Sequence, residues 1–97
     1  MRIIARKTLR EFWDKFPEAE NQLRAWFHEV QKDSWRHSAD LKVKYRTASI
    51  INSERVVFNI CGGKFRLIVR VNYSYQIVYV RFIGTHKEYD KINPETI

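Results

Sequence analysis

A single cysteine, Cys61, leaves this chain no partner for an internal disulfide. It stands before Gly62-Gly63 at a turn, with no particular histidine placed beside it, and reads as a bystander thiol. His28, His37 and His86 do not fall at zinc-ligand spacing, and there is no second cysteine to help them. No metal or other cofactor is therefore expected. With only three glycines and two prolines there is no linker, repeat or low-complexity tract, and 97 residues suit one domain spanning 1–97. Apolar runs are broken by charge well short of the roughly 18 residues that a membrane span needs. Met1-Arg2-Ile3-Ile4-Ala5 meets Arg6 and Lys7 before any signal-peptide core can form. A cytoplasmic protein without membrane contact is the expectation. Acidic residues are scarce as well: 11 Asp and Glu stand against 18 Lys and Arg, a net charge of +7. Such an excess suits a polyanionic partner, most often nucleic acid, or simply a solvated surface. The placement of the charges has to separate the two.

What is present is an ordinary globular composition, 44% hydrophobic and 14% aromatic. Ile3 and Ile4 start a short strand. Thr8-Leu9-Arg10-Glu11 fits a capping box, and Leu9, Phe12, Trp13 and Phe16 follow at helical spacing. Pro17 ends that helix and can begin the next, where Ala19, Leu23, Trp26, Phe27 and Val30 repeat the apolar stripe. Residues 33–48 are polar and irregular, with one helical turn at Ala39–Lys42 and Trp35 pinning a loop to the core. From Glu54 the period changes to two. Strands are expected over 55–60 and 64–72 and from Tyr75 or Gln76 to Ile83, with Gly62-Gly63 and Tyr73-Ser74 at the turns. The pattern predicts an α+β fold: a short first strand, a two-helix hairpin, and an antiparallel sheet completed by a three-strand C-terminal meander. A short tail carrying His86 comes last.

Uniform alternation sends Asn59, Lys64, Arg66, Arg70, Tyr79 and Arg81 to one sheet face, while Phe58, Leu67, Val69, Val80 and Phe82 meet the helices. A basic, partly aromatic open face can hold a phosphate backbone and stack a base; equally, it can be the solvated side of an antiparallel sheet. The tail after Gly84, Thr85-His86-Lys87-Glu88-Tyr89-Asp90, favours the first reading. Metal-free cleavage of a phosphodiester by a ribose 2′-hydroxyl needs a proton carrier, fixed cations for the phosphorane, and an acid for the leaving oxygen. An unperturbed imidazole titrates near ~6.5, which suits His86 to the first task. Arg66 and Arg81 offer forked donors to phosphate oxygens. Tyr89 can stack a base or relay a proton, and Lys64, Arg70 and Lys87 can grip backbone. Each has a plainer alternative: His86 as a cap, Arg81 paired with Glu88 or Asp90, Tyr89 packed to anchor the tail.

In these residues the chain resembles the HigB toxins, part of the wider RelE-type group of bacterial toxin–antitoxin pairs. The resemblance runs from Ser38-Ala39-Asp40-Leu41-Lys42 through Val57-Phe58-Asn59-Ile60, Lys64–Val69 and Val80–Gly84 to Thr85–Asp90, and the closing segment is its specific part. It implies a ribonuclease that cuts messenger RNA during translation on the ribosome, neutralised by a HigA-type helix-turn-helix antitoxin. By likeness, Arg66, Arg81, His86 and Tyr89 fall where the group places basic and catalytic residues; Asn59, Lys64, Arg70, Tyr79 and Lys87 are expected on RNA. One departure is Gly62-Gly63, where this subgroup often has Gly-Asn. The competing readings are a non-catalytic RNA- or ribosome-binding module, and a protein whose basic face matches an acidic partner.

Overall fold

The computed structural model describes residues 1–97. Strand β1 (Arg2–Ile4) leads into helix α1 (Arg6–Lys15), a 3-10 turn (Pro17–Ala19), α2 (Glu20–Lys32) and α3 (Ser38–Lys44). Then come β2 (Ser49–Ile50), β3 (Arg55–Ile60), β4 (Phe65–Asn72), β5 (Ile77–Thr85) and α4 (His86–Tyr89). The fold is α+β. Its sheet has five strands in the order β1-β5-β4-β3-β2. The expected meander β3-β4-β5 is there and antiparallel, but β1 joins β5 in parallel, so the sheet is mixed. The helical turn expected at Ala39–Lys42 is there as part of a longer helix, α3, and β2, for which no element was expected, extends the sheet beyond β3. No helix is long and apolar enough to cross a membrane.

The helical stripes do what their spacing requires. Leu9, Phe12 and Trp13 of α1 and Leu23, Trp26 and Val30 of α2 are buried against Phe58, Phe65, Leu67, Val69 and Val78 of the sheet. Aromatic edges organise that core, with Phe12 on Phe65 at 5.1 Å and Trp26 on Phe58 at 5.4 Å. Trp35 is buried as expected, and Gln76 ties its loop down through bonds to the Trp35 N–H and carbonyl. The Thr8 capping box does not form. Thr8 lies inside α1, which starts at Arg6 behind Ala5 with no side-chain cap. The sequence rule matched there, but the helix begins earlier.

A β-bulge changes the reading of β5. Ile68 pairs with Phe82, yet Val69 pairs with Val80, so Arg81 is an extra residue with no opposite number. Beyond it the faces exchange. Ile83 packs on the core, while Phe82 turns to the outer face and lays its ring over Gly84. The expectation that Phe82 meets the helices is thus corrected, because one inserted residue reverses a period of two.

Candidate functional site

Register lays the outer face out in rows. Asn59, Arg66 and Gly84 are neighbours across β3, β4 and β5. The next row is Val57, Ile68 and Phe82, and the one after that Arg55, Arg70 and Tyr79. Val57 and Ile68 are buried although they lie outside the helical core. The final residues of the chain cross this face, since Ile97 accepts hydrogen bonds from Arg55 on β3 and Arg81 on β5. The expected open basic face is therefore divided. An apolar, covered middle separates Arg66 from Arg70 and Tyr79, which stand four residues along the strands, roughly 13 Å away.

Around Arg66 the pieces converge. The turn before β4 runs through positive backbone angles at Cys61, Gly62 and Gly63, and Gly63, at +92°, is in a conformation that side-chain-bearing residues avoid. Its carbonyl accepts the Arg66 Nε–H at 3.2 Å, which aims the guanidinium. The Tyr89 ring lies 5.2 Å from the guanidinium carbon, a cation–π stack that leaves the terminal N–H groups of Arg66 for a ligand. His86 is delivered by the strand itself: its backbone N–H donates to the Lys64 carbonyl, carrying the β4–β5 pairing one residue beyond Thr85.

At that point the chain turns into α4, and a capping box makes the turn. The Thr85 hydroxyl accepts the Glu88 N–H, while the Glu88 carboxylate accepts the Thr85 N–H at 2.9 Å. Those bonds, the Thr85 N–H first, hold the Glu88 carboxyl below its ordinary range. One helical turn further, Asp90 Oδ2 lies 3.0 Å from His86 Nδ1. Both side chains are more than half exposed, so the pair adds little stability; its effect is on orientation. A carboxylate on Nδ1 selects the tautomer with the proton there and leaves Nε2 as an acceptor.

Arg66, His86 and Tyr89 thus form one cluster. The other expected residues are dispersed. Lys64 turns to the helical side and pairs with Glu18 at 2.8 Å, so it is not on the outer face. Asn59 donates to the Thr47 carbonyl and lines a cleft of about 390 Å³ between α2 and β3, with Trp26, Tyr45 and Phe58. Arg70 pairs with Glu54 at 3.1 Å beyond the apolar row. Tyr79 shares that far row, and Lys87 is exposed on α4. Arg81 sits at the bulge and donates to Ile97. Two participants escaped the reading by residue type. Asp90 entered the sequence reading only as a possible partner of Arg81, although His86-x-x-x-Asp90 is the spacing of facing helix residues. The Thr-x-x-Glu signature that really caps a helix is Thr85–Glu88.

Residues 19–92 match the model of a family described as HigB_toxin, the RelE-like toxic component of a toxin–antitoxin system. The chain is also 28% identical over 92 residues, 93% of its own length and 88% of theirs, to three curated proteins. These are the mRNA interferase toxin HigB of Escherichia coli (strain K12) and the mRNA interferases HigB of Escherichia coli O157:H7 and Shigella flexneri. The matched region takes in α2, all of β2 to β5, and the Arg66–His86–Tyr89 cluster with Asp90.

Proposed function

The chain belongs to the HigB family of RelE-like toxins of toxin–antitoxin systems, and on that premise we propose that it is a messenger-RNA endonuclease acting on the translating ribosome. The observation that carries the proposal is that one end of the sheet holds the Arg66 guanidinium stacked on Tyr89, and the same short helix carries His86, its imidazole bonded to Asp90. The names of its relatives as mRNA interferases point the same way. In the proposed step, His86 Nε2 takes the proton of a ribose 2′-hydroxyl and the 2′-oxygen bonds to the neighbouring phosphorus. The P–O5′ bond breaks, Tyr89 protonates the leaving 5′-oxygen, and the products are a 2′,3′-cyclic phosphate and a 5′-hydroxyl. Arg66 neutralises the phosphorane with its free N–H groups, and Arg81 grips an adjacent phosphate. No metal ion takes part in this scheme.

His86 and Asp90 are exposed and Arg66 and Tyr89 half-buried, so the cluster neither encloses substrate nor excludes water by itself. A ribosome presenting one codon in fixed geometry supplies that missing part; well-oriented reactants gain on the order of 7–11 kcal/mol. A HigA-type antitoxin neutralises the toxin, and the reaction takes place in the cytoplasm. The test is to induce the wild-type gene and His86→Ala in bacteria and map RNA 5′ ends. The expected result is new ends inside reading frames, lost when translation is blocked and absent in the variant. Cleavage that persists in His86→Ala moves the proton carrier elsewhere; growth arrest without new ends leaves an RNA-binding protein and removes the nuclease.

A further inference from the structure

Arg55 and Arg81 come from strands on opposite sides of β4, yet both Nε–H groups donate to one acceptor, the Ile97 carbonyl oxygen, at 3.2 and 3.3 Å. Two guanidinium groups thus converge on a single main-chain oxygen. The nearby carboxylate does not balance them, because Glu54 is shared between Arg55 at 3.4 Å and Arg70 at 3.1 Å. Among its side chains the patch therefore holds three cations and one anion, and the focal point of Arg55 and Arg81 is an oxygen. The oxygen is brought there by a self-contained turn: Asn93 Oδ1 accepts the Glu95 N–H, and the Asn93 carbonyl accepts the N–H groups of Thr96 and Ile97. Within itself the turn is held only by backbone and one amide side chain.

We infer that Arg55 and Arg81 form a second phosphate site for the RNA strand, and that the turn at 93–97 occupies it in the free protein and must be displaced when RNA binds. The inference rests on the reading of the chain as an RNA-cleaving toxin. In this arrangement the Ile97 oxygen stands in for a phosphate oxygen. Arg81 lies three residues along β5 from Gly84, roughly 10 Å, so the site takes a phosphate a nucleotide or two from the bond cut at Arg66 and His86. Arg55, which no reading of the sequence singled out, becomes a positioning residue for the strand. The same contact makes the tail an intramolecular competitor that lowers affinity for free RNA.

The test measures binding of a 2′-O-methyl RNA oligonucleotide, which cannot be cleaved, across a range of salt concentrations. Full-length protein is compared with a form ending at Asn93 and with Asn93→Ala, each checked for folding by thermal melting and each also carrying Arg55→Ala. Freeing the site is expected to raise affinity about tenfold and to steepen the salt dependence by about one contact. Arg55→Ala should erase that gain. Asn93→Ala keeps every apolar side chain of the chain, so it reads the effect even if the shortened form does not fold. Unchanged or weaker binding by the folded loosened forms overturns the inference and leaves the nuclease reading standing, as does a gain that survives Arg55→Ala. Absence of RNA binding in every form removes both.

Discussion

Replacing Gly84 with alanine examines the one feature that rearranges the outer face, the bulge at Arg81. An alanine Cβ there would lie 2.5 Å from Phe82 Cζ and 3.1 and 3.2 Å from Cε1 and Cε2. No real Cβ is tolerated so close, so the Phe82 ring must swing away from Gly84 and from its row with Ile68 and Val57. Overpacking of this kind costs about 1–3 kcal/mol. In a domain of about 100 residues each kcal/mol moves Tm by about 4–8 °C, so Gly84→Ala should melt roughly 5–20 °C below wild type. Calorimetry or thermal circular dichroism reads this directly. Combining Gly84→Ala with Phe82→Leu removes the clashing ring edge, and the double variant should be less destabilised than the sum of the two singles. Under uniform alternation the outcome would differ: Phe82 would be a core residue and its alanine variant would cost about 3–5 kcal/mol, more than loss of a half-exposed ring on the outer face. That second pattern would refute the bulge and, with it, the division of the basic face.

Asp90→Asn is expected to slow RNA cleavage less than His86→Ala does, with the fold retained; the general acid–base contribution at stake is about 10²–10⁴-fold, and equal rates for Asp90→Asn and wild type would dismiss the orienting pair. Tyr89→Phe keeps the ring under Arg66 but removes the hydroxyl, so single-turnover cleavage should fall while Tm stays within a degree or two, as expected for a half-buried tyrosine whose hydroxyl makes no hydrogen bond within the chain. Thr85→Ala should cost about 1 kcal/mol by removing the cap of α4, measured by urea denaturation. The Glu88 half of the same cap sets a pH signature: its folded-state pKa is lowered from the ordinary 4.5, so its contribution is complete above that value and is lost as pH falls through the lower folded value. Glu88→Gln should flatten that acid limb, and an identical pH profile for the two proteins would contradict the capping box.

Much of the fold follows from local rules. The two amphipathic helices, the period-two strands and the turn at Gly62-Gly63 were each legible because their signals lie within a few neighbouring residues. The cluster was legible in part for the same reason. His86 and Tyr89 sit on one short segment, and Arg66 lies on a strand whose alternation is regular. What failed was long range or rested on a single residue of offset. Parallel pairing of β1 with β5 joins residues 75 positions apart, Arg2 with Ile77, and no local pattern encodes it. The bulge at Arg81 is silent in composition, yet it reverses Phe82 and Ile83. Lys64 had the parity of Arg66 but found Glu18 on the helical side, because a side chain at the end of a strand is free to leave its face.

By itself, then, the sequence determined the α+β class, the apolar faces that must be buried, the positive charge that suits RNA, and the His86–Tyr89 segment to which we assign the chemistry. These depend on residue type and period alone. Tertiary structure decided which cations act together. Strand register sets Arg66 beside Gly84 and sends Arg70 to the far row, and the Gly63 carbonyl and Tyr89 ring aim the Arg66 guanidinium. Chain crossing of the outer face brings Arg55 and Arg81 to the Ile97 oxygen. Each of these is a meeting of groups distant in sequence, made only when the sheet closes its register and the tail folds back across it.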